Sequence, residues 1–104
     1  FQYFPLVTRE NLRSFMIEYA DRIVFGTDAS RFSSDQAARY AVRYWRAFRV
    51  LEVDGMVEDG FFGGGKMQGL ALPREVLEKI YYRNAARIYP RVREQLQQLG
   101  YAVQ

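Results

Sequence analysis

The sequence predicts a small α/β fold that is mostly helical and carries one or two short strands. Four segments have apolar residues at helical spacing, which indicates helices that each bury one face. Between the first two lies Ile23-Val24-Phe25, a run of β-branched and aromatic residues typical of a buried strand. A helix leading directly into such a strand forms the αβ half of a βαβ unit.

The composition fits one folded domain of 104 residues, because 49% of them are hydrophobic and 16% aromatic. No run approaches the roughly 18 apolar residues of a membrane-spanning helix, so we expect no membrane partner. The chain has no cysteine, which is compatible with a cytoplasmic location, and no histidine, the commonest general base and metal ligand. The net charge of +3 permits an anionic partner without requiring one.

The first helix is expected over about 9–20, with Thr8 as its N-cap and Glu10 in its first turn. The strand follows at 22–27, and the carboxylate of Asp28 comes directly after it. In α/β folds the chemistry lies just past strand ends, whereas a lone aspartate there more often caps a turn. The apolar face of the first helix is formed by Leu12, Phe15, Met16 and Tyr19.

The second helix is expected over about 34–52, because Ser33 and Gln36 match a capping box. Three arginines, Arg39, Arg43 and Arg46, lie on its other side. They suit either a nucleic-acid surface or a solvated helix face with the aromatic residues facing the core. We favour the solvated face and expect no nucleic-acid partner. The predicted apolar face comprises Ala41, Tyr44, Trp45, Phe48 and Leu51.

Residues 53–72 lose periodicity and are rich in glycine, which predicts a long irregular loop with room for a short hairpin. Residues 60–66 have the spacing of a phosphate-binding loop that ends in Lys66. The next residue is Met67 rather than the Ser or Thr that binds magnesium, so we interpret this stretch as a surface loop.

Two further helices are expected over about 74–89 and 91–99. Pro73 suits a helix start, Glu75 and Lys79 have the spacing of an ion pair, and Gly100 suits a helix stop. Asn84 lies on an apolar face and is interpreted as a buried hydrogen-bonding residue rather than a catalytic group. A single strand needs a pairing partner, which residues 1–4, the glycine loop, a second copy or a missing part of the sheet would have to provide.

Two segments together resemble a known family. Residues 21–28 (Asp-Arg-Ile-Val-Phe-Gly-Thr-Asp) resemble the final barrel strand of the amidohydrolase superfamily. The group is the amidohydrolase-related one that includes enzymes like aminocarboxymuconate-semialdehyde decarboxylase. Residues 72–89 are similar to its C-terminal signature, in which Leu-Pro opens a helix that carries Asn-Ala and ends in Arg-Ile-Tyr.

The resemblance implies a (β/α)₈ barrel with a catalytic divalent metal of the zinc type. It assigns one residue, Asp28, which in the family binds the metal and helps to deprotonate the attacking water. A full barrel needs roughly 250 residues, and the family's histidine ligands have no counterpart here. We therefore expect the chain to be the C-terminal segment of such an enzyme, inactive alone, with a small-molecule substrate and either hydrolysis or decarboxylation as the reaction.

The partners expected from this interpretation are the remainder of the barrel and a second copy of the chain, because an exposed barrel remnant would self-associate through its apolar faces. The alternative is a small helical binding or self-assembly module without catalytic activity. It is favoured by the missing histidines and the lone strand.

Overall fold

A computed structural model describes residues 3–26, 37–58 and 66–103 of the chain. The elements are mainly helical, with two short strands and one π turn. The helices, strands and π turn are, in chain order, α1 (Arg9–Glu18), α2 (Ala37–Glu52), β1 (Met56–Glu58), β2 (Lys66–Gln68), α3 (Arg74–Glu78), the π turn (Lys79–Arg83), α4 (Asn84–Ile88) and α5 (Pro90–Gln98). Short 3₁₀ turns lie at Phe4–Leu6 and Ala20–Arg22. The prediction of a mostly helical chain with short strands is confirmed. Within the described ranges no helix is both long and apolar enough to cross a membrane.

Helix α1 begins at the predicted cap, since the Thr8 hydroxyl accepts a hydrogen bond of 3.2 Å from the Asn11 amide. Its predicted apolar face is only partly right. Met16 is buried, but Phe15 and Tyr19 are 53% and 38% exposed. Their rings contact each other instead, with centroids 4.9 Å apart, so this side of α1 is an aromatic surface rather than core.

The predicted strand 22–27 is wrong over its described part. A 3₁₀ turn occupies Ala20–Arg22, and residues 23–26 belong to no strand. The physical reason is that a helix, not a strand, provides the partner: the Phe25 amide donates a 3.0 Å hydrogen bond to the Ile80 carbonyl of the π turn. Thr27 and Asp28 lie outside the described residues.

The strands that form are β1 and β2, which pair antiparallel with Val57 opposite Met67. This confirms the short hairpin foreseen within 53–72. Val57 and Met67 are buried while Met56 is 51% exposed, as the twofold alternation of a half-buried strand requires.

The segment after the hairpin closes the end of α2. The amides of Leu70, Ala71 and Leu72 donate to the carbonyls of Val50, Val53 and Leu51, satisfying groups that a helix end leaves unpaired. Arg9 and Arg13 of α1 in turn donate to the carbonyls of Gly69, Leu70 and Ala71. The segment 69–72 is thereby bonded to both helices.

Helix α2 ends at Glu52 as predicted, while its predicted start at 34 lies outside the described residues. Its predicted apolar face is corrected. The buried residues are Ala47, Val50 and Leu51, whereas Trp45 is 58% exposed and lies 4.8 Å from the Arg49 guanidinium. The core covers only the C-terminal half of α2, so the aromatic stripe continues beyond the residues that pack on it.

The helical run 74–88 agrees with the predicted helix 74–89, apart from the π turn within it. Helix α5 ends at Gln98, and Gly100, just after the Leu99 C-cap, has a φ of 87°, the left-handed conformation that favours glycine. Tyr101 and Gly100 donate backwards to Leu96 and Gln97, at 2.9 and 3.0 Å, in a Schellman motif.

One hydrophobic core joins α1, α2, the β1–β2 hairpin, α3 and the π turn. It consists of Met16, Ala20, Val50, Leu51, Val57, Met67, Leu70, Leu72, Val76 and Ile80.

Candidate functional site

The predicted site residue, Asp28, lies outside the described residues, whereas most of the segment that precedes it is described. Residues 20–26 of this segment are described, and they lie against the helical run 74–88. We call this region the strand-end anchor, meaning residues 20–26 together with Lys79, Ile80, Asn84 and Arg87.

Asn84 is the centre of the strand-end anchor. It is 2% exposed, and its side-chain amide donates to the carbonyls of Ala20 at 2.6 Å and Ile23 at 2.8 Å. One side chain thus uses both of its N–H groups to hold a turn and the extended residue after it. The interpretation of Asn84 as a buried hydrogen-bonding residue is confirmed.

Two cations hold the same segment from its solvent side. Arg87 donates to the Asp21 carbonyl at 2.6 Å, and the Lys79 ammonium lies 3.0 Å from the Asp21 carboxylate. The predicted pair between Glu75 and Lys79 is present but longer, at 3.9 Å. Because Asp21 and Glu75 are largely exposed and Lys79 is partly exposed, the ion pairs contribute little stability and mainly orient the chain.

The ring of Phe25 packs into an aromatic cluster, defined as Phe25, Tyr44, Phe48 and Tyr81. Its centroid lies 5.3 Å from that of Phe48 and 5.6 Å from that of Tyr81, the latter edge-on. Sequence reasoning missed this cluster, because its members come from three separate segments. The sequence signal that could have indicated the cluster was the presence of aromatic residues in both 21–28 and 72–89.

Tyr81 links the aromatic cluster to α2. Its hydroxyl donates to the Glu52 carboxylate at 3.0 Å. Burial, together with the charge of Glu52, raises the pKa of Tyr81 well above its usual range. Tyr81 therefore stays protonated and acts as a donor at neutral pH.

An open groove of about 510 Å³ lies beside this tyrosine. Glu78 is on its wall and accepts hydrogen bonds from Arg74 at 3.0 Å and Arg83 at 3.1 Å, which hold the pKa of Glu78 below its usual range. The groove is lined by Glu52, Leu72, Arg74, Leu77, Glu78, Tyr81, Tyr82 and Tyr101. Its carboxylates already have partners, so they do not form a free acid–base pair.

The described residues do not form a metal site. The chain has no histidine or cysteine, and nowhere in 3–26, 37–58 or 66–103 do three His, Cys, Asp or Glu side chains form a group suited to a metal ion. A zinc-type centre takes roughly three protein ligands. Asp28 would supply one, and the residues of 3–26, 37–58 and 66–103 offer no cluster that would supply the others.

The other basic candidates lie on α2 and β2 and are not among the residues of the strand-end anchor. Arg39 and Arg43 are exposed on α2, as a solvated helix face requires, and Lys66 is exposed on β2. The aromatic residues beside them do not all face the core, because Trp45 is exposed.

Compared with known proteins, the chain matches no family model, no curated protein and no solved structure. The resemblance of 21–28 and 72–89 to the amidohydrolase-related group therefore rests on those residues themselves.

Proposed function

We propose that the chain is the C-terminal segment of a cytoplasmic, metal-dependent enzyme of the amidohydrolase-related group, with a (β/α)₈ barrel. The enzyme would hydrolyse or decarboxylate a small-molecule substrate, and this segment would contribute Asp28. The observation that carries the proposal is the contact between the two resembling segments. Asn84, in 72–89, donates to the carbonyls of Ala20 and Ile23, the latter in 21–28.

The hydrogen bonds from Asn84 to backbone carbonyls are more specific support than apolar packing would be. Apolar side chains pack in many registers, whereas a pair of amide hydrogen bonds fixes one position of the chain along the helix. A carboxylate that follows a held segment is better restrained than one in a free loop, which is what a general base or ligand needs. We therefore propose that the Asn-Ala of the signature restrains the segment that leads to Asp28.

In the proposed enzyme Asp28 acts as one metal ligand and as the acceptor of a proton from the attacking water. A bound divalent metal would lower the pKa of that water. Since the described residues offer no further ligand cluster, the remaining ligands would come from elsewhere in the polypeptide.

The test is zinc binding by the full-length protein, measured by equilibrium dialysis with Zn²⁺ and elemental analysis. Asp28→Ala should weaken zinc binding at least roughly tenfold while the circular dichroism spectrum stays unchanged. Asp54→Ala is the matched control, because Asp54 is exposed and its ion pair with Arg9 is long, at 3.5 Å. Equal zinc affinity in the two variants would refute the role of Asp28.

The second candidate, a helical self-assembly module, is favoured by exposed apolar side chains. Phe15, Trp45 and Tyr89 are each more than half exposed. In the leading proposal, the rest of the barrel or a second copy of the chain covers these side chains. In the alternative, only a second copy of the chain covers them. Light scattering tests self-association under both: a homo-oligomer is expected, and a monomer would remove this support.

A further inference from the structure

The π turn at Lys79–Arg83 changes the hydrogen-bond ladder of the helical run that carries the family-like signature. The backbone N–H of Asn84 donates to the Lys79 carbonyl, five residues back, instead of to the Ile80 carbonyl, four residues back. Helices α3 and α4 on either side are α-helical. A single widened turn of this kind inserts one residue and leaves one carbonyl out of the ladder, and such turns are frequent at functional sites.

The carbonyl that loses the backbone amide of Asn84 is also the one that bonds to residues 20–26. Ile80 is 2% exposed, and its carbonyl accepts the Phe25 amide at 3.0 Å. In a regular α-helix this carbonyl would bond within the helix, and the Phe25 amide would have to compete for it. The widened turn thus supplies the partner that a neighbouring strand would supply in a sheet.

We propose that the π turn is a positioning device that presents the Ile80 carbonyl to Phe25 and fixes the register of residues 23–26. Asn84 completes the device, because its side chain holds Ala20 and Ile23 from the adjacent helical turn. Its functional meaning rests on the proposed function, since Asp28 follows Gly26 by two residues. Ile80 and Asn84 are then positioning residues for that carboxylate.

The experiment compares deletion of Tyr82 with Tyr82→Ala in the full-length protein. Deletion shortens the π turn by one residue, so that the Ala85 amide comes four residues after Ile80 and recaptures its carbonyl in an α-helical bond. Tyr82→Ala is the matched control, because it removes the same ring, with its contacts to Tyr101 and Arg83, without changing the residue count.

The first readouts are through-hydrogen-bond NMR couplings and amide exchange. We expect a coupling between the Phe25 nitrogen and the Ile80 carbonyl carbon in the unmodified protein and in Tyr82→Ala. In the deletion variant it should be replaced by one between Ala85 and Ile80, with exchange at Phe25 about tenfold faster. A folded deletion variant that keeps the protection of Phe25 overturns the proposal. If the deletion variant does not fold, the coupling in the unmodified protein decides: its presence supports the device, and its absence overturns it.

The second readout is Zn²⁺ affinity, which separates the device from the proposed function. The deletion variant should bind zinc about tenfold more weakly than Tyr82→Ala does. Equal affinity, with the Phe25 hydrogen bond lost, would overturn the positioning role. If Asp28→Ala leaves zinc affinity unchanged, the proposed function fails, and the coupling and exchange data still test the device on their own.

Discussion

Asn84 is the residue whose removal should most weaken the link between residues 20–26 and the helical run 74–88. Asn84→Ala removes hydrogen bonds of 2.6 and 2.8 Å and leaves the carbonyls of Ala20 and Ile23 without this donor. Ala20 is 3% exposed, so water cannot readily replace the donor there. An unsatisfied buried carbonyl costs about 1–3 kcal/mol and an ordinary hydrogen bond contributes about 1 kcal/mol, which together predict a loss of about 3 kcal/mol.

The assay for this loss is urea denaturation of the full-length protein followed by circular dichroism. A loss of about 3 kcal/mol is a large part of the roughly 5–15 kcal/mol that stabilises a typical domain. Asn84→Leu is the companion variant, because it removes the whole amide group while keeping the number of side-chain heavy atoms, so it leaves no alanine-sized cavity. A loss below about 1 kcal/mol in both variants would refute the structural role of Asn84.

Asn84→Asp adds a pH dependence whose sign follows from the same contacts. Burial and two facing carbonyl oxygens should raise the pKa of the introduced carboxyl above its unfolded value of about 3.9. A raised folded pKa contributes stability below the unfolded pKa and loses it as pH rises. The deficit of this variant relative to the unmodified protein should therefore be smallest near pH 4 and grow toward pH 7, and a deficit independent of pH would contradict the geometry.

Three further predictions concern other parts of the fold. Gly69→Ala should destabilise by about 2–3 kcal/mol, because a Cβ there would lie 2.9 Å from the backbone carbonyl carbon of Val53; a neutral effect in urea denaturation would contradict this close approach. Tyr81 should ionise at higher pH than the exposed tyrosines in an ultraviolet titration, and its raised pKa means that stability falls above about pH 10; Tyr81→Phe should flatten that fall. Glu78→Gln should cost stability near neutral pH and none well below pH 4.5, because hydrogen bonds from two arginines lower the pKa of Glu78; a cost that persists in acid would point to packing instead.

Much of the fold follows from local sequence signals. Apolar residues at helical spacing located the four helical runs, and the hydroxyl of Thr8 and the conformation of Gly100 begin and end helices as their chemistry predicts. Asn84 was identified as a buried hydrogen-bonding residue, because an amide on an apolar helix face must find partners there.

The rest depends on tertiary partners that no local pattern encodes. The run at 23–25 has strand composition, yet its described backbone bonds to a helix, because a widened turn offers the Ile80 carbonyl. A π turn leaves no mark on apolar spacing over a few residues, so the sequence predicted an uninterrupted helix over 74–89. Trp45 is exposed because the apolar stripe of α2 extends beyond the core that covers it.

The mass of the natural protein tests most directly whether the chain is one segment of a larger enzyme. We predict an intact mass well above the 12.2 kDa of these 104 residues, with histidines in the additional polypeptide that complete a metal site with Asp28. A natural protein of 12.2 kDa would contradict the proposal and favour the self-assembly module.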